Sequence, residues 1–373
     1  MSEARFPRPA LAVVKIGSSS LRDDDGRFDR GRVDALCDQV ARLRGAGTGV
    51  VAVTSGAVAA GLGELGFDRR PTDTPSLQAT AAAGQGALVQ AYREALASHG
   101  LVGAQLLLSQ DDFVVRRRYL NARTALRRLL ELGAVPVINE NDAIATEELV
   151  YGDNDHLAAL VASMLGADLL LMLSDVEGLL DRPPSEPGAV LVPRVDDPGA
   201  VDLARIGGAG SDVGSGGMRT KLGSAQVATR TGAHVVIADA RRPDVVVDAA
   251  AGLPVGTWFV ARPGRMEARR LWIAFVLRTH GRIAVDAGAV RVLRRGGASL
   301  LGVGVTGCEG AFAAGEAVEV VGPEGEVVAR GLAAYDAADV ARLAGLSTEA
   351  AVARLGPAYG REVVHRDDLA VLD

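Results

Sequence analysis

Two lysines, each beside a run of small residues, are where this sequence first offers chemistry. Lys15 is followed by Ile16-Gly17-Ser18-Ser19-Ser20, and Lys221 closes the run Gly214-Ser215-Gly216-Gly217-Met218-Arg219-Thr220. Small residues let backbone N–H groups come close to a phosphate, and a neighbouring ammonium adds positive charge. A plain turn ending in a helix cap explains the first run equally well. At the second run, the lysine and the onset of a helix weigh against an inert glycine linker. Its spacing departs from GxxxxGK[ST], so P-loop chemistry is not supported. Thr54-Ser55-Gly56 opens a small-residue helix, where Ser55 is either a cap or part of an anion site. Asn139-Glu140-Asn141-Asp142 and Tyr151-Gly152-Asp153-Asn154-Asp155 hold more Asn and Asp than turns require. Asp153 reads as a helix cap. Asp142, Asn154 and Asp155 offer acceptors and an amide suited to an α-ammonium and an α-carboxylate, or to orienting nearby lysines. Ser174-Asp175 reads as a nucleotide-contacting loop or as a cap for the next turn.

These residues need a scaffold that gathers them. Short apolar runs at 11–16, 49–54, 104–108, 135–139, 168–173 and 234–238 read as strands buried on both faces. Helix-periodic stretches at 30–44, 77–98, 117–132, 153–165 and 218–231 lie between them. Such alternation predicts a mostly parallel sheet with helices on both sides, an α/β fold in three αβα layers. Ligands in such sheets bind beyond the carboxyl ends of the strands, which is where every cluster above falls. After Val260 the pattern changes. An arginine-rich stretch reads as a linker with a short helix, and glycine-punctuated valine runs read as a small β-rich domain, a barrel. The expected division is residues 1–262 catalytic, 263–280 linker, 281–359 second domain and 360–373 C-terminal tail.

Several function classes drop out. Cys37 and Cys308 have no metal spacing and read as reduced thiols, which suits the cytoplasm. None of the five histidines forms a metal-spaced pair. No apolar run reaches membrane-spanning length. The start of the chain lacks an apolar stretch of signal-peptide length. Both GxGxxG matches, at Gly61–Gly66 and Gly302–Gly307, lack the strand-then-helix context of a dinucleotide site. The net charge of −6 argues against broad attraction to nucleic acid or membrane.

The chain resembles the amino acid kinase family, and within it the enzymes that act on free glutamate. KIGSSSL (15–21), TSGAVAAG (54–61), YLNARTAL (119–126), VPVINENDAIAT (135–146), YGDNDHLAALVA (151–162), SDVEGL (174–179) and GSGGMRTK (214–221) carry the resemblance, in the family's order. The stretch SLLGVGVTGCEGAF (299–312) resembles a PUA domain. The resemblance implies the amino acid kinase fold with glutamate and ATP side by side across the strand ends. It implies that Lys15 and Lys221 stabilise the transferring phosphoryl group and that Asp155 holds the lysines. It gives Ser55, Asp142 and Asn154 to glutamate. It gives Lys15, Ser174, Asp175, Ser215, Gly216, Gly217, Met218, Arg219, Thr220 and Lys221 to ATP. Mg2+ would be held mainly by the ATP phosphates, with no protein metal cage. The implied product is L-glutamyl 5-phosphate, the first intermediate of proline biosynthesis, with proline as inhibitor. A homo-oligomer (dimer or tetramer) and contact with a glutamyl phosphate reductase are further implications. The rivals are family members acting on N-acetylglutamate, aspartate, carbamate or UMP. RNA binding is disfavoured, because residues 281–373 carry nine Arg and no Lys against 13 acidic residues.

Overall fold

The structure is a computed structural model that describes residues 4–372, except 24, 110, 145–153, 203–214, 263–269, 271 and 278. The chain divides into two compact units, Met1–Arg265 and Met266–Asp373.

The first unit is built on an eight-stranded sheet. Its strands are β1 (Leu11–Ile16), β2 (Gly49–Val53), β3 (Gly103–Leu108), β4 (Val135–Glu140), β5 (Leu169–Ser174), β6 (Arg194–Val195), β7 (His234–Asp239) and β8 (Thr257–Phe259). Their order across the sheet is β3-β4-β2-β1-β5-β7-β8-β6. β3, β4, β2, β1, β5 and β7 run parallel, and β8 pairs antiparallel with β7. The apolar runs of β4 and β5 are buried at every position, as strands covered on both faces must be. β1 shows the layering. Ala12, Val14 and Ile16 join the core formed with helices α1 (Arg30–Gly45) and α3 (Thr74–Ala97). The alternate residues Val13 and Lys15 point to the opposite face, where α6 (Asn154–Leu165) lies, the helix that follows α4 (Asp111–Val114) and α5 (Arg116–Glu131) in the chain. The expected three-layer αβα sandwich is therefore present.

Two glycine features set the geometry near the strand ends. Gly56 has φ +105°, a left-handed conformation that favours glycine, and turns the chain from β2 into the short helix α2 (Ala57–Gly61). Where α2 crosses α3, a Cβ on Gly61 would collide with the Thr80 carbonyl, and one on Gly84 with the Ala57 carbonyl. The two backbones therefore touch, which draws α3 towards the carboxyl ends of the strands.

The second unit carries a five-stranded sheet, ordered β10-β9-β11-β12-β13, with β9 (Gly281–Val285), β10 (Val305–Gly310), β11 (Ala317–Val321), β12 (Val327–Leu332) and β13 (Leu369–Val371). Three expectations are corrected here. The run at 287–294, expected within short β-like segments, is a helix. Asp286 caps it by accepting from the Ala289 N–H at 2.7 Å, and Val290 and Leu293 bury one face. Residues 369–371, expected in a tail, form β13 against β12, because Leu369 and Ala370 are buried. Residues 272–276, expected as a short helix in a linker, do form one helical turn, of the π type, but its Ile273 and Ala274 pack on Ala370 and so belong to the second unit. Among the described residues, no helix is long and apolar enough to cross a membrane.

Candidate active site

Lys15 sits one residue before the end of β1, Asp155 lies in the first turn of α6, and Lys221 lies nearly two turns into the helix Ser215–Arg230. That helix begins three residues earlier than its sequence pattern suggested. It packs on α6, and α6 packs on β1. The three side chains consequently meet. Asp155 is fully buried, with Oδ1 at 2.5 Å from Lys15 Nζ and Oδ2 accepting from Lys221 Nζ at 2.9 Å. Burial by itself would raise the Asp155 pKa. The two ammonium charges and the hydrogen bonds they donate outweigh it and hold the carboxyl below its usual range. Two cations share one anion, so the cluster keeps one net positive charge.

Next to it is a row of amides. Asn154 Nδ2 donates towards the Thr54 carbonyl at 2.9 Å, Ser55 Oγ at 2.6 Å and Asn139 Oδ1 at 3.1 Å. Asn139 Nδ2 donates to Gln85 Oε1 at 2.8 Å, and the buried Tyr92 hydroxyl donates to Thr54 Oγ1 at 2.9 Å. Asn154 and Asp155 are adjacent in sequence, so the start of α6 joins the amide row to the lysine cluster. Asp142 follows β4, partly buried. Burial pushes its carboxyl up to about 6, against a smaller opposing pull from Arg70.

Ser174 ends β5, beside β1, and its hydroxyl donates to Asp175 Oδ1 at 3.1 Å. The Asp175 carbonyl accepts from Arg241 at 3.2 Å, which ties this loop to the end of β7. Ser215 and Gly216 open their helix. Gly217, Arg219 and Thr220 are exposed, Met218 is half-buried, and a Cβ on Gly217 would meet nothing. Thr220 Oγ1 is turned back to the Gly217 carbonyl at 3.0 Å. In the loop after Lys15, the Gly17 N–H is committed to the Leu173 carbonyl and that of Ser20 to the Gly17 carbonyl. The amides of Ser18 and Ser19 have no backbone acceptor among the described residues. Asp153 and Gly214 lie outside the described residues.

Direct contacts thus unite Lys15, Asp155 and Lys221, and separately Ser55 and Asn154. Asp142, Ser174, Asp175 and Arg219 are not among the residues that these bonds join. Gln85 and Tyr92 were not anticipated. Gln85 lies in a run of small helix positions, which does not mark it out, and Tyr92 stands among Gln90, Arg93 and Glu94 as one polar position of several.

Cationic side chains and exposed helix-start backbone on one side, and a polar amide row on the other, divide the strand ends into two neighbouring regions. The model of the amino acid kinase family matches residues 10–239, and that of the PUA domain matches residues 281–353. A protein named glutamate 5-kinase from Salinispora arenicola is 48% identical over 361 residues, covering 96% of this chain and 97% of its own. One from Streptomyces coelicolor is also 48% identical, over 96% of each chain. One from Pelobacter propionicus is 43% identical over the full length of both. The chain is therefore a kinase that belongs to the amino acid kinase family and carries a PUA domain after its catalytic domain.

Proposed function

We propose that the chain transfers the γ-phosphoryl group of ATP to the side-chain carboxylate of L-glutamate, giving L-glutamyl 5-phosphate and ADP. The observation that carries this reading is the Lys15–Asp155–Lys221 cluster, joined through Asn154 to a polar amide row. The names of the full-length relatives support the choice of glutamate.

A glutamate side chain has a pKa near about 4.3, so it is already ionised at neutral pH and needs no general base. A carboxylate oxygen attacks the γ-phosphorus, the bond to the bridging oxygen breaks, and ADP leaves. The task left to the protein is positioning and positive charge. Lys15 and Lys221 supply the charge, and Asp155 fixes where it stands. Ser174, Asp175 and the backbone from Ser215 to Lys221 hold the nucleotide. Ser55, Asp142 and Asn154 hold the amino acid. Among the described residues, no three His, Cys, Asp or Glu side chains stand together to ligate a metal. A Mg2+ ion held by the ATP phosphates would supply further charge neutralisation. On this reading the enzyme opens proline biosynthesis in the cytoplasm as a dimer or tetramer, and a glutamyl phosphate reductase consumes its reactive product.

Asp142 provides a pH test. Its carboxyl, at about 6 in the empty site, is raised above the ordinary value of 3.8. Its ionisation therefore costs the empty protein stability above that range, and a bound ammonium would offset the cost. Binding of the ammonium requires the ionised form, so the KM for glutamate should rise by up to about tenfold per pH unit below about 6. The KM for ATP should stay nearly level. Asp142→Asn should raise the glutamate KM and flatten the profile. Parallel profiles for the variant and the parent protein would remove Asp142 from the glutamate site.

Proline carries an α-ammonium and an α-carboxylate but no side-chain carboxylate to attack ATP. It would occupy the Asp142 and Asn154 region without reacting. Calorimetric titration of proline should therefore weaken as glutamate is added. Simultaneous binding without mutual weakening would place proline at a different site.

A further inference from the structure

The sense of the amide row can be settled by chemistry. The Thr54 carbonyl only accepts, so the Asn154 group that faces it must be the amide nitrogen. The Asn139 atom facing that nitrogen must then be its oxygen, which turns Asn139 Nδ2 to Gln85 and requires Gln85 to answer with Oε1. One backbone carbonyl thus orients three side chains, and none can flip without bringing two like groups together. Both ends of the row are left open. Among the described residues, Asn154 Oδ1 is a buried acceptor without a partner, and Gln85 Nε2 is a buried donor without one. Buried polar atoms are nearly always paired in native proteins, and an open one at a functional site indicates a group that a ligand satisfies. At Asn154 that group must be a donor, which the ammonium of an amino acid is.

We propose that Gln85 is a positioning residue for the ammonium end of the substrate. By accepting from Asn139 it keeps Asn139 Oδ1 towards Asn154 Nδ2, and Asn154 Oδ1 therefore stays free for the ligand. Gly84, the preceding residue, makes this possible. A Cβ there would collide with the Ala57 carbonyl and push α3, with Gln85, away from Asn139. The inference rests on the glutamate reading proposed above.

Three variants test it by steady-state kinetics at neutral pH, with melting curves to establish folding. Gln85→Leu removes the acceptor, and the KM for glutamate should rise about tenfold, the loss of about one hydrogen bond, while the KM for ATP moves less than about twofold. Gln85→Lys presents only donors to Asn139 Nδ2 and should raise the glutamate KM at least as far. Gln85→Glu keeps an acceptor facing Asn139 and should recover most of the loss, although it lacks the Nε2 donor. A glutamate variant as impaired as the leucine variant overturns the inference. So does an effect that falls on kcat or on the KM for ATP. If the leucine or the lysine variant fails to melt cooperatively, Gln85→Glu set against the other decides; if the glutamate variant fails, the other two decide by whether the KM for glutamate rises while kcat and the KM for ATP hold. Parent protein that forms no ADP with glutamate overturns the function reading and this inference together. Glutamate turnover with no dependence on residue 85 overturns only the inference.

Discussion

Replacing Lys221 with alanine should lower kcat about 100-fold or more and change the KM for glutamate far less. Lys221 is one of two cations on Asp155, and its side chain is 12% exposed. Without it, Lys15 and Asp155 neutralise each other and the cluster's net positive charge is gone. Charge develops on the phosphoryl oxygens in the transition state, so a cation aimed there acts on the rate more than on ground-state binding. Removal of one such contact costs on the order of 100-fold or more in kcat. The substitution should leave the fold intact, because the remaining Lys15–Asp155 pair is balanced. A folded variant with near-normal turnover would remove Lys221 from the chemistry.

Asp155→Asn should have the second large effect, on stability and rate together. Lys15 is 4% exposed, and Asp155 is completely buried. Taking away the carboxylate leaves two ammonium groups facing a neutral amide. Breaking a buried pair in this way costs about 3–5 kcal/mol, which lowers Tm by roughly 10 °C in a domain of this size. The depressed pKa of Asp155 gives the sign with pH. Its contribution is present above about pH 4, the unfolded carboxylate range, and is lost as pH falls through the lower folded value. The parent protein therefore keeps its advantage at neutral pH, and the two proteins should converge only in acid. The rate separates positioning from charge. The substitution raises the cluster from one net positive charge to two, so charge alone would speed the reaction. If Asp155 acts by placing the lysines, kcat falls by more than about tenfold. Saturating ATP should also raise the Tm of the variant more than that of the parent, because the polyphosphate replaces the missing anion. Equal ATP stabilisation of both proteins would contradict that role.

Much of the scaffold was legible in the sequence, because strands buried on both faces write themselves as unbroken apolar runs. Leu169–Leu173 is the plainest case, and Leu11–Ile16 carries Lys15 one residue before its end. Residues at strand ends were legible for the same reason, since the topology of a parallel sheet gathers them. Their distances were not. Nothing local states that Asp155 reaches two lysines, one 140 positions before it and the other 66 after, because that depends on how two helices pack. Gln85 was hidden for a similar reason. Its role follows from the contact between Gly61 and Gly84, a property of two backbones. β8 has three residues, too few to display a period, and its antiparallel pairing with β7 leaves no local mark. The helix at 287–294 was hidden by its valines, which suit a strand, although Asp286 caps it. The upward shift of Asp142 depends on burial, which sequence position does not disclose.

The most direct measurement is ADP formation with hydroxylamine present, comparing L-glutamate, N-acetylglutamate, aspartate and UMP as acceptors. Hydroxylamine captures an acyl phosphate as a stable hydroxamate. Glutamate should support turnover and yield one glutamyl hydroxamate for each ADP, and the other acceptors should yield little of either product. A preference for N-acetylglutamate, aspartate or UMP, or ADP released from glutamate without hydroxamate, would contradict phosphoryl transfer to the glutamate side chain.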